Sequence, residues 1–256
     1  MIDVRGLYKS FEDKTVLSDI NASFENGKTN LIIGQSGSGK TVLMKCIVGL
    51  LTPEKGEVLY DGRNLVLMGK KEKKMLRKEM GMIFQSAALF DSMSVLDNVM
   101  FPLNMFSNDT LRDRTKRAMF CLERVNLTEA KDKFPGEISG GMQKRVAIAR
   151  AIALNPQYLF CDEPNSGLDP KTSLVIDELV HDITHEYNMT TLINTHDMNS
   201  VMGIGEKIIY IYDGYKEWEG SKNDIFTSSN KKLNDFIFAS DLFRKVKEVE
   251  VQNIEG

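Results

Sequence analysis

One glycine-rich run constrains this chain more than any other feature. It consists of Gly34, Gln35, Ser36, Gly37, Ser38, Gly39, Lys40 and Thr41, which match the pattern G-x-x-x-x-G-K-[ST] without a mismatch. The apolar residues 31–33 before it are typical of a buried strand, and residues 42–47 after it are typical of a helix. A chance match in a glycine-rich loop is the alternative, but it does not account for this strand–loop–helix context.

The residue types in this run suit a chain of phosphate groups. Glycine has no Cβ, so successive backbone N–H groups can turn inward and form a nest for an anion. The Lys40 ammonium can reach the terminal phosphates, and the Thr41 hydroxyl can ligate Mg²⁺. The phosphates would also face the positive N-terminal end of the helix that follows. The run therefore predicts a site for a phosphate chain and its magnesium ion.

The composition limits the class of protein. The chain has 256 residues, of which 42% are hydrophobic, so it can bury the core of one large α/β domain with an inserted subdomain. Its formal net charge of −3 argues against nucleic acid as the main partner. No apolar stretch approaches about 18 residues, and the N-terminus leads directly into a strand-like segment, so we expect neither a membrane span nor a signal peptide. Cys46, Cys121 and Cys161 are widely spaced among apolar neighbours, which predicts reduced core thiols in a cytoplasmic protein.

Apolar periodicity predicts a mixed α/β architecture. Apolar and polar residues alternate before residue 30, which indicates antiparallel strands, and the hairpin-like segment 208–218 indicates the same. The short apolar runs 158–161 and 191–193 are typical of parallel strands that are buried on both faces. We therefore predict a nucleotide-binding core with a mainly parallel sheet, an antiparallel β-subdomain and an inserted α-helical subdomain at about residues 86–155.

The same patterns predict how the chain is divided. We expect a single domain over residues 1–230, followed by a C-terminal tail, residues 231–256, with roughly helical spacing of its apolar residues. The tail either packs on its own domain or docks on a partner subunit. A basic segment at about 64–80 is interpreted as a solvated helix face, with contact to anionic lipid headgroups as the alternative.

A pair of acidic residues lies downstream of the glycine-rich run. Asp162 and Glu163 follow the apolar run 158–161, so they end a predicted central strand at the edge where open sheets bind ligands. Asp162 is placed to hold Mg²⁺ through water, and Glu163 to polarise a water molecule for attack on the terminal phosphate. Two adjacent acidic residues are weak evidence on their own. At the end of an apolar strand, downstream of the glycine-rich run, they predict a hydrolytic site.

A serine followed by two glycines predicts an unusual helix start. Ser139 is a typical N-cap residue, and Gly140 and Gly141 follow it directly. A helix that needs only a cap has no use for two adjacent residues without side chains, whereas a helix start that approaches a phosphate does. An ordinary cap is the alternative, and the glycines favour a second phosphate contact.

Taken in order, these motifs resemble the ATPase subunit of ABC transporters. The motifs are the glycine-rich run, Gln85, Ser139-Gly140-Gly141, Asp162-Glu163, Ser166-Gly167-Leu168-Asp169 and His196. The similarity covers nearly the whole chain, from Met1 to about Gly220. It implies that the chain hydrolyses ATP with Mg²⁺ and forms a head-to-tail homodimer. Each ATP would lie between the glycine-rich run of one subunit and the Ser139 motif of the other.

The resemblance also implies roles for individual residues. Phe11 would stack on adenine with Val16 beside the ring, and a core aromatic of the β-subdomain is the alternative for Phe11. Gln85 would contact Mg²⁺ and water, Asp169 would cross the dimer interface, and His196 would contact the γ-phosphate. The implied catalytic residues are Lys40, Gln85, Glu163 and His196. The implied magnesium ligands are Thr41, Gln85 and, through water, Asp162.

One departure from the family pattern narrows the resemblance. The usual glutamine after the two glycines is replaced by Met142, whose side chain cannot donate a hydrogen bond. A Ser-Gly-Gly-Met motif resembles the ATPases of Mla/MCE lipid-transport systems, and so does the segment 84–99. That resemblance implies an MlaE-like membrane permease and an MCE-domain protein as partners and phospholipid as cargo. It also implies a peripheral protein that the permease holds at the cytoplasmic face of the inner membrane.

Other functions stay open. The ATPase subunit of an amino-acid importer or of a lipoprotein exporter would carry the same motifs. Non-transport ABC ATPases of DNA repair or translation usually carry a coiled-coil insertion, zinc modules or a second cassette, which do not occur in this sequence. A nucleotide-sensing module without hydrolysis is a further class. The features that argue against it are the retained residues Lys40, Asp162, Glu163 and His196.

Overall fold

The structure, a computed structural model, has two compact units. It describes residues 1–12, 14–239, 243–245 and 247. The first unit contains Met1–Glu25, Thr29–Leu67 and the described chain from Asn194 onward. The second contains Asn26–Lys28 and Met68–Ile193.

Both units combine strands and helices. The strands are β1 (Ile2–Phe11), β2 (Lys14–Phe24), β3 (Thr29–Ile33), β4 (Lys55–Tyr60), β5 (Arg63–Asn64), β6 (Met80–Ile83), β7 (Tyr158–Asp162), β8 (Thr190–Thr195), β9 (Lys207–Tyr212) and β10 (Tyr215–Gly220). The helices are α1 (Lys40–Ile47), α2 (Lys70–Lys78), α3 (Val95–Phe106), α4 (Leu111–Arg124), α5 (Gly140–Ile152), α6 (Pro170–Glu186), α7 (Met198–Ile204), α8 (Lys222–Thr227) and α9 (Lys231–Ile237). Short 3-10 helices at Thr128–Ala130 and Pro135–Glu137 precede α5.

An antiparallel sheet in the first unit follows from the alternating residues near the N-terminus. Its strand order is β2-β1-β4-β5. The pairing places Val4 opposite Ala22 on one side and Val58 on the other. Ile20 and Phe24 are fully buried, as the alternation predicts for one face of a strand. The predicted antiparallel β-subdomain is therefore present.

A second group of strands in the first unit carries the glycine-rich run. Its order is β10-β9-β3. β3 pairs with β9 in parallel, and β9 and β10 form the predicted antiparallel hairpin around Asp213 and Gly214, whose φ values are 46° and 80°. β3 is buried along its whole length, and the chain passes from its end through the glycine-rich run into α1. The run therefore occupies the carboxyl end of a buried parallel strand, as predicted.

The second unit contains the predicted helical region together with further strands. Its strands lie in the order β8-β7-β6, where β8 belongs to this unit up to Ile193, and β6 pairs with β7 in parallel. Helices α3, α4 and α5 pack against one another, and residues 146–149 of α5 are fully buried. Strand β6 was not predicted, because its four residues lie between a basic helix and Gln85. The helix α2 is shorter than the basic segment from which it was inferred.

The remaining sequence expectations have mixed outcomes. Cys46, Cys121 and Cys161 are buried and carry free thiols, and burial raises the pKa of both Cys46 and Cys121 to about 11. The C-terminal tail begins with α9, where the Phe236 ring stacks on Tyr210 of the same unit at 5.3 Å. Much of the tail after residue 239 lies outside the described residues. No helix in the described ranges is both long enough and apolar enough to cross a bilayer.

Candidate functional site

The glycine-rich run adopts backbone conformations that suit glycine alone. Gly34, Gly37 and Gly39 have φ values of 151°, 80° and 107°, which residues with a Cβ rarely adopt. A Cβ on Gly34 would lie 2.2 Å from the carbonyl oxygen of Ile211, and a Cβ on Gly39 would lie 2.8 Å from Leu17 Cδ2. The loop is therefore packed so closely that Gly34 and Gly39 leave no room for a side chain.

The polar groups of the run fit a polyphosphate chain. Lys40 is 6% exposed, and its Nζ donates to Gly34 O at 2.7 Å and to Gln35 O at 3.0 Å. The buried hydroxyl of Ser38 has no hydrogen-bond partner within the described part of the chain. Thr41 is exposed in the first turn of α1, which contains no acidic residue to repel an anion. A buried cation, an unpartnered hydroxyl and a helix N-terminus are the donors that phosphates require.

Three further predicted site residues lie in the first unit. Phe11 ends β1, and the residue is 44% exposed, so it is not the core aromatic that was the alternative interpretation. Val16 is half-buried in β2, and its carbonyl oxygen lies 3.1 Å from the position of a Cβ on Gly39, so β2 passes directly beside the run. His196 follows the last residue of β8 and is exposed.

The second unit brings two of the predicted catalytic residues together. Asp162 is the last residue of β7, and Glu163 follows it with a φ of 48°, which is a strained value for a residue with a side chain. The Nε2 atom of Gln85 donates to Glu163 Oε2 at 3.1 Å and to Ser166 Oγ at 3.2 Å. Gln85 and Glu163 are 78 residues apart in the chain, and the sequence motifs alone did not predict this direct bond.

The Ser139 motif forms an exposed helix start. The Ser139 Oγ accepts a hydrogen bond from Met142 N at 3.3 Å and so caps α5, as predicted. A Cβ on Gly141 would lie 2.7 Å from Thr172 Cγ2, whereas one on Gly140 would make only ordinary contact. Packing within the unit therefore accounts for Gly141. It does not account for Gly140, which leaves the first turn bare for the approach of an anion.

Asp169 serves the fold of the second unit in addition to its implied interface role. Its carboxylate caps α6 by accepting hydrogen bonds from Thr172 N at 3.0 Å and from Thr172 Oγ1. These two bonds lower the pKa of the Asp169 carboxyl, so it stays ionised at the positive end of the helix. Asp169 is exposed, and its role at an interface stays a prediction.

Two cations of α5 were missed by the sequence analysis. Lys144 donates from Nζ to Gln85 O, and Arg150 donates to the carbonyl oxygens of Ala87 and Ala88 at 2.7 Å each. Burial lowers the pKa of Lys144, against the opposing charge of Glu163, and burial also lowers the pKa of Arg150. The sequence does contain a sign of these two residues, because both lie close to the apolar residues 146–149 of a buried helix. A cation in such a place needs specific hydrogen-bond partners.

A groove of about 430 Å³ opens in the second unit. Its lining comes from β6, from α3, from the segment around Gln85 and from the end of α5, which contributes Arg150 and Ala151. Its apolar wall includes Met80, Met82, Phe84, Phe90, Phe101 and Pro102. The rings of Phe90 and Phe101 lie 4.6 Å apart, and Phe84 and Phe90 are 38% and 40% exposed. A concentration of exposed aromatic surface in a groove is typical of a docking site.

A buried amide supports the aromatic wall of this groove. Asn98 is fully buried in α3, and its Oδ1 accepts a hydrogen bond from Phe90 N at 2.8 Å. The two hydrogens of its Nδ2 are shared among the carbonyl oxygens of Phe90, Met93 and Ser94, which lie 3.0 to 3.1 Å away. One side chain therefore fixes the backbone of residues 90–94.

Replacement of Asn98 with alanine is expected to lower the free energy of unfolding by about 2 to 4 kcal/mol, because it leaves several buried backbone groups without partners. Urea-induced unfolding measures the change. Asn104→Ala is the matched control, since Asn104 lies on the same helix but is exposed, and it is expected to cost less than about 0.5 kcal/mol. Equal stability of the two variants would contradict the supporting role of Asn98.

Comparisons with known proteins agree with these motifs. The family model described as "ABC transporter" matches residues 17–166. The chain is 36% identical over 236 residues to a probable ribonucleotide transport ATP-binding protein mkl of Mycobacterium leprae, covering 92% of this chain and 68% of that protein. It is 38% identical over 237 residues to the methionine import ATP-binding protein MetN of Clostridioides difficile, covering 93% and 74%.

A third relative and a solved structure extend the comparison. The intermembrane phospholipid transport system ATP-binding protein MlaF of Haemophilus influenzae is 36% identical over 237 residues, which cover 93% of this chain and 90% of that protein. The dimeric post-hydrolysis state of the ATP-binding cassette MJ0796, bound to ADP and Pi, superimposes with a TM-score of 0.78 at 33% identity, covering 87% of this chain and 99% of that one. The chain therefore belongs to the ABC transporter family, as a domain with the α/β fold of ABC ATPases that binds and hydrolyses ATP with Mg²⁺.

Proposed function

We propose that this ATPase powers a membrane permease that moves phospholipid in a bacterial envelope. The observation that carries the proposal is the Ser139-Gly140-Gly141-Met142 helix start, together with similarity to an MlaF protein over 90% of that protein's length. The partners would be an MlaE-like permease and an MCE-domain protein. The chain would then lie at the cytoplasmic face of the inner membrane, as a peripheral protein held by the permease.

In this proposal the residues of the first unit bind the nucleotide. Phe11 stacks on adenine beside Val16, and the glycine-rich run holds the phosphates through its N–H groups. The Lys40 ammonium, which donates to two loop carbonyls, transfers its hydrogen bonds to the β- and γ-phosphates. His196 contacts the γ-phosphate from the end of β8. The backbone N–H groups, Lys40 and His196 then stabilise the negative charge that grows at the phosphate during hydrolysis.

The residues of the second unit carry out and control the hydrolysis. Glu163 acts as the general base that takes a proton from the attacking water, and Gln85 orients both that water and the Glu163 carboxylate. Gln85 and, through water, Asp162 would hold Mg²⁺ together with Thr41 of the first unit, and the ion would supply positive charge to the phosphate oxygens. Ser139 and the bare first turn of α5 complete the site of a second subunit.

The proposal requires a homodimer, because each nucleotide is held by one subunit and contacted by the Ser139 turn of another. Two copies pair head to tail, so that the Ser139 turn of each meets the γ-phosphate held by the other, and Asp169 crosses the interface. ATP closes the dimer because it binds the closed state more tightly than the open one, and hydrolysis removes that preference. Alternation between the two states supplies the movement that drives the permease.

The aromatic groove of the second unit is the surface that this proposal assigns to the permease. A cytoplasmic helix of the permease would place apolar side chains against Phe90 and Phe101, a mode of recognition that apolar grooves commonly use. The groove includes residues on both sides of Gln85 along the chain, so movement there can reach the hydrolytic residues.

An amino-acid importer is the second candidate, because identity to the MetN protein reaches 38%.

The experiment that separates these functions is a pull-down of the tagged chain from its native membrane in mild detergent, with mass spectrometry of proteins and lipids. Recovery of an MCE-domain protein and a permease with bound phospholipid would support the proposal. Recovery of a permease with a periplasmic solute-binding protein, and without enriched lipid, would replace it with a nutrient importer.

The same preparation tests the docking groove. Phe90→Glu is expected to reduce permease recovery by about 30-fold or more, because it places a charge in an apolar contact at the centre of the interface. Phe120→Glu is the matched control, since Phe120 has the same 40% exposure in the same unit but does not line the groove. Recovery that is equal for the two variants would show that the permease docks elsewhere.

A further inference from the structure

The segment after Gln85 contains two adjacent residues in a conformation that their side chains disfavour. Ala87 and Ala88 have φ values of 61° and 47°. Residues with a Cβ rarely adopt this left-handed region, and two in succession need support from their surroundings. Ala87 is buried and Ala88 lines the aromatic groove, so the turn connects Gln85 to the groove wall.

The support comes from one guanidinium group. Arg150 donates from Nη2 to Ala87 O and from Nη1 to Ala88 O, at 2.7 Å in each case. The planar guanidinium presents its donors in a fixed fork, and the two consecutive carbonyls of the turn match that fork. In the turn, the carbonyls of Ala87 and Ala88 both point toward this one group.

A second cation of the same helix holds the other end of the segment. Lys144 is buried in α5 and donates from Nζ to Gln85 O. The side chain of that glutamine donates to Glu163 and Ser166. Helix α5 therefore contacts three backbone carbonyls in residues 85–88, and the contacts lead directly to the proposed general base.

We propose that Arg150 and Lys144 are positioning residues for ATP hydrolysis, which clamp the left-handed turn at Ala87–Ala88 so that Gln85 meets Glu163. Neither cation touches the nucleotide in this proposal. They act through Gln85, and the helix that carries them begins with the Ser139 motif. The inference rests on the ATPase activity of the chain and on the proposed role of Glu163, but it does not depend on the cargo.

Steady-state ATPase kinetics of the purified chain test the clamp. Arg150→Met is expected to lower kcat by about 10- to 100-fold, because displacement of a group near the reacting atoms has effects of this size. The KM for ATP is expected to stay within about twofold, because the glycine-rich run belongs to the other unit. Arg145→Met is the matched control, since Arg145 of the same helix also bonds a backbone carbonyl, that of Val125, and it is expected to keep kcat.

Glycine substitution then distinguishes positioning from general stability. Glycine adopts the left-handed region without strain, so Ala87→Gly with Ala88→Gly should restore kcat in the Arg150→Met background to within about threefold of the parent. Arg150→Lys keeps the charge but not the fork. The kcat of Arg150→Lys is expected to fall about 3- to 10-fold. Arg150→Lys takes the place of Arg150→Met if Arg150→Met does not fold. An unchanged kcat in Arg150→Met, an equal loss in Arg145→Met, or no rescue by glycine would overturn the proposal.

Discussion

Replacement of Glu163 with glutamine is expected to reduce ATP turnover by about 10²- to 10⁴-fold while ATP binding is retained. The amide has nearly the shape of the carboxylate, and its oxygen can still accept the hydrogen bond that Gln85 donates at 3.1 Å. It cannot, however, take a proton from water at neutral pH. The variant should therefore bind ATP normally and accumulate as a closed dimer, because the step that reopens the dimer no longer occurs.

Two measurements check this result. Single-turnover hydrolysis reports the chemical step, and light scattering or gel filtration with ATP and Mg²⁺ reports the dimer. Glu178→Gln is the control, since Glu178 is exposed on α6 of the same unit and has no role in the proposed site. Undiminished hydrolysis in Glu163→Gln would remove Glu163 as the general base. If hydrolysis is lost but no stable dimer forms, bound ATP alone does not hold the dimer closed, and closure depends on contacts outside the nucleotide site.

The parts of the site that could be predicted from sequence are those in which local chemistry and chain order coincide. The glycine-rich run follows a buried strand, and its hydrogen-bond donors suit a phosphate irrespective of the segments that pack around the run. The same holds for Asp162 at the end of an apolar strand and for Ser139 as an N-cap, because capping depends on residues three positions apart. These features are local, so the pattern of the chain contains them.

Other parts depend on contacts between segments far apart in the chain. The bond from Gln85 to Glu163 joins residues 78 positions apart, and the bond from Arg150 to Ala87 joins residues 63 apart. Ala87 and Ala88 also adopt a conformation that their residue type disfavours, so local propensity predicts the wrong backbone there. Gly141 shows the opposite case, because a prediction based on phosphate contact alone overlooked its packing against Thr172.

Removal of the Lys40 ammonium is the second change for which a large effect is expected. In Lys40→Met the value of kcat/KM for ATP is expected to fall by about 10²- to 10³-fold, equivalent to about 3 to 4 kcal/mol of transition-state stabilisation. Lys40 is 6% exposed, and its Nζ donates to the carbonyl oxygens of Gly34 and Gln35. Its charge is therefore held in a poorly solvated place where it acts strongly on phosphate.

The fold should tolerate this change better than the activity does. Methionine has a similar length and fills the same space, and it removes the free-energy cost of keeping an ammonium out of water. We therefore expect the melting temperature of Lys40→Met to stay within a few degrees of the parent while calorimetric ATP binding weakens. Lys45→Met is the matched control, since Lys45 lies on the same helix but is exposed, and it should leave both quantities unchanged. If Lys40→Met kept kcat/KM within tenfold of the parent, the phosphate contact would rest on the backbone N–H groups and the helix N-terminus rather than on the lysine.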